Sequence, residues 1–256
     1  MRRALRDTRS RVSPTRPGAV PELASMKNRM RESLTLWASL FISRCDVTPN
    51  SLVLDLGCGD GAFLRQVVRS VGCAALGVDL HPARPASGVW VVRGDVCRLP
   101  LRDATVNAAF ASNLLHHLSE PALCLLEVAR VLVDGGVICL RLASHAQIRA
   151  QLISSLFPEA AQAACARTPD LPSVVEALRS AGLAVFAVEE VEEPATQTAG
   201  ELLERLRAGM LPAPVTGQAL EAAVRHLEGI AARGGADAEP KGHLTLVAAR
   251  KVTLHR

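Results

Sequence analysis

Residues Val53-Leu54-Asp55-Leu56-Gly57-Cys58-Gly59-Asp60-Gly61 decide the fold. An apolar run ends in an acid, three glycines follow at alternate positions, and a helical pattern begins at Ala62. That order predicts a strand, a tight turn and a helix start. Glycine lets a backbone approach a ligand with no Cβ in the way. The spacing is G-x-G-x-G and departs from the G-x-G-x-x-G of dinucleotide binders. An acid at the strand end can accept hydrogen bonds from a ligand amine or hydroxyl.

Outward from this turn, strands and helices alternate. Strands are expected at Ser51–Leu56, Ala75–Asp79, Val89–Val92, Val106–Ala111, Val137–Leu142, Leu183–Val188 and Leu244–Ala249. Helices are expected at Ala62–Val71, Pro121–Leu132 with Ser119 as N-cap, and Pro172–Ser180. A turn is expected at Asp134-Gly135-Gly136. This β-α alternation predicts a three-layer, Rossmann-like α/β sandwich. Its seven-stranded sheet should be mostly parallel, with an antiparallel last strand and a helical cap.

Residues 1–20 read as a disordered basic arm and 21–256 as one domain. Within that domain, 21–48 forms an N-terminal helical segment and 51–142 the ligand-binding core. Segments 146–169 and 198–233 are cap insertions, the second broken near Leu211–Pro214. In the first segment Leu34, Trp37, Leu40 and Phe41 share one helical face. Core packing explains that face, and Trp37 or Phe41 is also placed to close a pocket.

Residues 1–31 hold eight Arg and one Lys against Asp7 and Glu22, a local +7 within a total of +4, leaving −3 for the rest. The folded part therefore has no basic bias, and nucleic acid is not the expected partner. The seven cysteines form no C-x-x-C, so zinc is not indicated and a reducing, cytoplasmic setting is expected. The apolar runs are too short for a membrane span. A G-x-S-x-G nucleophile turn is missing, and no G-K-S/T follows the glycines, which argues against hydrolase and P-loop chemistry.

Ligands of open α/β sheets sit beyond the carboxyl ends of the strands. The second strand ends in Gly77-Val78-Asp79-Leu80, with Asp79 placed 24 positions after Asp55 to take both hydroxyls of a ribose. The third ends in Gly94-Asp95-Val96, an acid and an amide that suit an adenine edge or, in the competing reading, an ordinary Asx turn. The fourth runs into Ser112-Asn113-Leu114-Leu115-His116-His117.

Together with Leu99-Pro100 and Glu127–Leu132, these motifs resemble the type 11 group of class I S-adenosylmethionine-dependent methyltransferases over about Leu52–Leu142. The resemblance implies S-adenosyl-L-methionine as cofactor. It implies binding by Asp55, Gly57, Cys58, Gly59, Gly61, Asp79, Leu80, Asp95, Val96, Ser112 and Asn113, and a small-molecule acceptor. His116 and His117 are the candidate catalytic bases, against a mechanism of proximity alone. Two other readings stay open: a non-catalytic methyltransferase-like binding protein, and an RNA methyltransferase using the basic arm.

Overall fold

The computed structural model describes residues 21–83, 88–194, 197–210, 217–232 and 241–252. The basic arm at 1–20 and the helix break at 211–214 lie outside these residues. In chain order the elements are α1 (Pro21–Arg44), β1 (Leu52–Leu56), α2 (Ala62–Val71), β2 (Ala74–Asp79), β3 (Trp90–Arg93) and β4 (Val106–Ser112). Then come α3 (Pro121–Val131), β5 (Leu132–Leu142), α4 (His145–Ala150), α5 (Leu152–Leu156), α6 (Pro158–Arg167) and α7 (Leu171–Ser180). The chain closes with β6 (Leu183–Glu193), α8 (Ala199–Arg207), α9 (Gly217–Ala232) and β7 (Gly242–Lys251).

The seven strands lie in the order β3-β2-β1-β4-β5-β7-β6. The β1–β2, β1–β4, β2–β3 and β4–β5 pairs are parallel. Only β7 runs against its neighbours, wedged antiparallel between β5 and β6. The expected fold class is therefore the observed one. The order reverses beside β1, so the turn after β1 opens at the switch point where such sheets bind ligands.

Each face of the sheet carries a core. On one side Leu54, Leu56, Ile138 and Leu140 pack with Leu125 and Val128 of α3 and Leu178 of α7. On the other, Val53, Phe110 and Cys139 pack with Trp37 and Phe41 of α1 and Phe63 and Val67 of α2. Phe63 stacks on Phe110 at 3.8 Å between ring centroids, and Phe41 meets both edge-on. Phe41 is fully buried in this triad, so it serves the core and is not a pocket lid. A third cluster holds Phe157, Leu202, Leu203, Leu206 and Leu227, joining α8 and α9 to the α5–α6 turn.

Three local expectations are corrected. Ser119 does not cap α3: Glu120 occupies the N-cap without a side-chain bond. The helix starts on Pro121, which has no N–H to satisfy at that position. The Asp134–Gly136 turn is absorbed into β5, which follows α3 directly. Gly135 takes φ +75° there, and the β4–β5 register shifts between Val106 and Ala108. Finally, β6 continues past Val188 to Glu193, because β7 pairs with it over that whole length.

Phe110→Ala removes the central ring of the triad. It should lower stability by about 3–5 kcal/mol, read from the urea midpoint at constant m-value.

Candidate functional site

The turn after β1 is shaped by backbone geometry that only glycine adopts without strain. Gly57, Gly59 and Gly61 have φ of +69°, +54° and +73°. A Cβ at Gly57 would press on Leu114 Cδ1 at 2.9 Å, whereas one at Gly59 would meet open space. The loop is thus packed at its base and free at its crest, where a ligand can lie against the backbone.

Asp79 holds this loop in place. One carboxylate oxygen accepts the Gly59 N–H at 2.9 Å, and the other accepts the His81 N–H at 2.8 Å. Each oxygen keeps a lone pair for a ligand hydroxyl. Asp55 stands one strand away, its backbone in register with Gly77 of β2 and Phe110 of β4. It is 4% exposed, and its carboxyl makes no hydrogen bond to another described residue. Burial, and then the neighbouring Asp79, push its carboxyl well above the usual carboxylate range. A buried carboxyl without a donor is costly unless a ligand completes it. S-adenosyl-L-methionine carries ribose hydroxyls, an ammonium and a sulfonium, so its chemistry fits two acids flanking one open turn.

The remaining expected residues are less uniform. Cys58 turns its side chain inward against Gly77, where any Cβ would collide with it, so only its backbone faces the loop. Burial pushes its thiol up to about 12. Leu80 is exposed beside Asp79, an apolar surface for a base face. Asp95 forms the Asx turn of the competing reading, accepting the Cys97 N–H at 2.8 Å, and Val96 is buried behind it. Ser112 accepts from Arg141 Nη1 at 3.1 Å. Asn113 takes φ +50°, and its N–H donates to the Arg141 carbonyl at 2.8 Å.

Past Asn113 a cavity of about 710 Å³ opens between the sheet edge and the cap. Leu114, Leu115, Ile148, Ile153, Leu202 and Leu244 supply apolar walls. His116 lines it; His117 lies on the exposed side, its ring 4.1 Å from that of His116. Burial, then His117 and Arg167, lower the His116 pKa, so its imidazole is neutral at neutral pH.

A buried clasp fixes the cavity's inner wall. Glu193, 3% exposed, accepts from Ser33 Oγ (2.9 Å), Trp37 Nε1 (2.7 Å) and Arg141 Nη2 (2.9 and 2.7 Å to its two oxygens). The Arg141 guanidinium lies over the Trp37 ring at 5.0 Å. Its Nε is buried without an acceptor. Trp37 is therefore committed to the clasp.

Residues 54–140 match the model of a family described as a methyltransferase domain. The chain is 34% identical over 106 residues to the demethylmenaquinone methyltransferase of Corynebacterium kroppenstedtii, covering 40% of this chain and 46% of that one. It is 37% identical over 93 residues to "Probable tRNA methyltransferase 9B" of Homo sapiens, covering 34% and 20%. The chain thus spans less than half the length of these curated relatives. Among solved structures, the geranyl diphosphate C-methyltransferase from Streptomyces coelicolor A3(2), in complex with Mg2+, geranyl diphosphate and S-adenosyl-L-homocysteine, superposes with a TM-score of 0.56 at 16% identity, covering 95% of this chain and 88% of that one. Residues 54–140 therefore match a methyltransferase domain, carried on the fold that this chain shares with the solved methyltransferase.

The matched span supplies the glycine turn and its two flanking acids, and the chain beyond it supplies most of the cavity. Reading the sequence missed Arg141, Glu193, Gln147 and Arg167. Arg141 carried a signal: a cation at the end of an apolar strand needs a counterion. Glu193 was masked by the acidic run Glu189-Glu190-Val191-Glu192-Glu193, which reads as a solvated edge. No group of metal-ligating side chains occurs among the described residues. No described helix is long and apolar enough to cross a membrane.

Asp55→Asn tests the electrostatics of the cradle. The folded protein keeps the Asp55 proton at a pH where the unfolded chain, near 3.8, has lost it. Folding then takes up a proton, so ligand-free stability falls as pH rises from 3.8 to the raised folded value. The Asn variant should lack that slope and melt higher than wild type at neutral pH, as followed by calorimetry across pH.

Proposed function

We propose that the protein transfers the methyl group of S-adenosyl-L-methionine to a small organic acceptor held in the cavity beyond β4. The observation that supports this is the continuity of the two sites: the glycine turn and its acids lie beside a strand whose next residues, Asn113 to His116, line the cavity.

The bound cofactor supplies an already activated methyl group. This chain's residues do the rest. Asp79 accepts the two ribose hydroxyls, with Leu80 against the base and the Val96 amide at its edge. Asp55 balances the cofactor's positive charge. The cap and the clasped inner wall hold the acceptor in line and exclude water, which is where most of the acceleration in a displacement of this kind arises. Where the accepting atom carries a proton, neutral His116 receives it. His117, on the exposed side, is assigned no proton transfer.

The RNA reading is favoured by the match to a relative named for tRNA methylation. Against it stand the net charge of −3 outside residues 1–31 and the apolar lining of the cavity. Steep salt dependence of RNA binding, lost on deleting residues 1–20, would support that reading instead.

Calorimetric titration with S-adenosylhomocysteine should show micromolar binding. Asp79→Ala should weaken it by roughly 100-fold or more, since two charge-assisted hydrogen bonds are lost. No binding by folded wild type would remove the proposal.

His116→Ala should lower kcat by roughly 10²- to 10⁴-fold for an acceptor that loses a proton, with S-adenosylhomocysteine affinity preserved. The wild-type rate should fall on acidification with an inflection below 6.5, because only the unprotonated ring accepts. An unchanged His116→Ala rate would leave proximity as the mechanism.

A further inference from the structure

The charges around the cavity are unevenly spent. Arg141 is neutralised by Glu193 at 2.7 Å, and Lys241 by Glu192 at 2.6 Å. His243 faces the same Glu192 at 3.8 Å. Glu190 is held by the Gln147 amide at 3.1 Å, and Gln147 itself is fixed by Ser144 and Thr245. Arg167 differs from the other two cations of the lining. At the end of α6, it has no hydrogen bond or ion pair among the described residues.

The two acceptors nearest to Arg167 in sequence bond other groups and make no bond to its guanidinium. The carbonyl of Thr168, next along the chain, is taken by His145 Nε2 at 2.8 Å. The nearest acid in sequence, Asp170, caps α7 by accepting the Ser173 N–H at 2.9 Å. The field of Arg167 instead reaches His116, where it disfavours a second positive charge. The same lining holds the aliphatic side chains of Leu115, Ile148, Ile153 and Leu244.

We infer that the acceptor is an apolar molecule carrying a carboxylate, and that Arg167, beside His116, is the residue that selects it. The planar fork of a guanidinium matches a carboxylate. One free guanidinium balances one negative charge, and Glu190 on the same lining opposes a second. A monoanion with a hydrocarbon body therefore fits better than a dianion or a neutral lipid. This rests on the methyltransferase reading of the same site and narrows it to a substrate class.

The test uses the full chain, with 4-phenylbutyrate and decanoate as probes against their neutral amides. Binding is followed by saturation-transfer NMR in the presence of S-adenosylhomocysteine. The acids should bind at least about tenfold more tightly than the amides, the size of one charge-assisted contact. Arg167→Gln should erase that preference by weakening the acids, with amide and S-adenosylhomocysteine affinities unchanged. Arg167→Lys should retain part of it. Arg167 is exposed, so these variants should fold as wild type does. Equal binding of acid and amide, a preference that survives Arg167→Gln, or no binding of either by protein that binds S-adenosylhomocysteine overturns the inference and leaves the methyltransferase reading intact. Failure to bind S-adenosylhomocysteine removes that reading. The acid preference is then measured on the free protein and stands or falls by the same comparison.

Discussion

The buried carboxylate of Glu193 is the interaction on which the cavity side of the molecule depends. It joins the side chains of Ser33 and Trp37 on α1 to Arg141 at the end of β5. Arg141 in turn reaches Ser112 at the end of β4, and its carbonyl takes the N–H of Asn113. Four elements distant in sequence are thereby set against one another around a single charge pair. Such a pair adds little stability over an apolar substitute, but leaving either member alone is expensive. Its effect is to fix geometry: α1 and the strand ends can meet in one arrangement only.

The glycine turn and its flanking acids were legible in the sequence because backbone and strand-end constraints dictate them. Gly57, Gly59 and Gly61 announce left-handed turns, and Asp55 and Asp79 fall where parallel strands deliver acids to one edge. Tertiary packing decides the rest. Asp95 was offered both a ligand role and an Asx turn, and the Cys97 amide takes it in the turn. Cys58 lies in the motif but faces the sheet. The acceptor half was largely illegible, because its polar residues come from α4, α6, β5 and β6 and have no fixed spacing. Arg167 reads on paper as an ordinary basic helix end, and only its place in the cavity lining beside His116 and away from any bonded acid makes it unusual.

The strand boundaries carry the same lesson. The Asp134–Gly136 stretch has the composition of a turn and sits within β5 as an irregularity: the β4 pairing skips from Leu132 to Val137, and the β7 pairing begins at Val137. By contrast, the acidic run after Val188 has poor strand propensity but finds a full set of partners on β7. Pairing partners outweigh local preference in the acidic run, whereas at Gly135 the local preference persists inside the strand.

The cap has its own apolar centre: Phe157, Leu202, Leu203, Leu206 and Leu227 pack together as a cluster distinct from the two that sandwich the sheet. Mutations that reshape this cluster need not propagate into β1, β2 or the glycine turn. The architecture is accordingly modular. The cavity's lining can drift, or be re-engineered, by replacing helices that rest on the scaffold, while the glycine turn and its acids stay as they are.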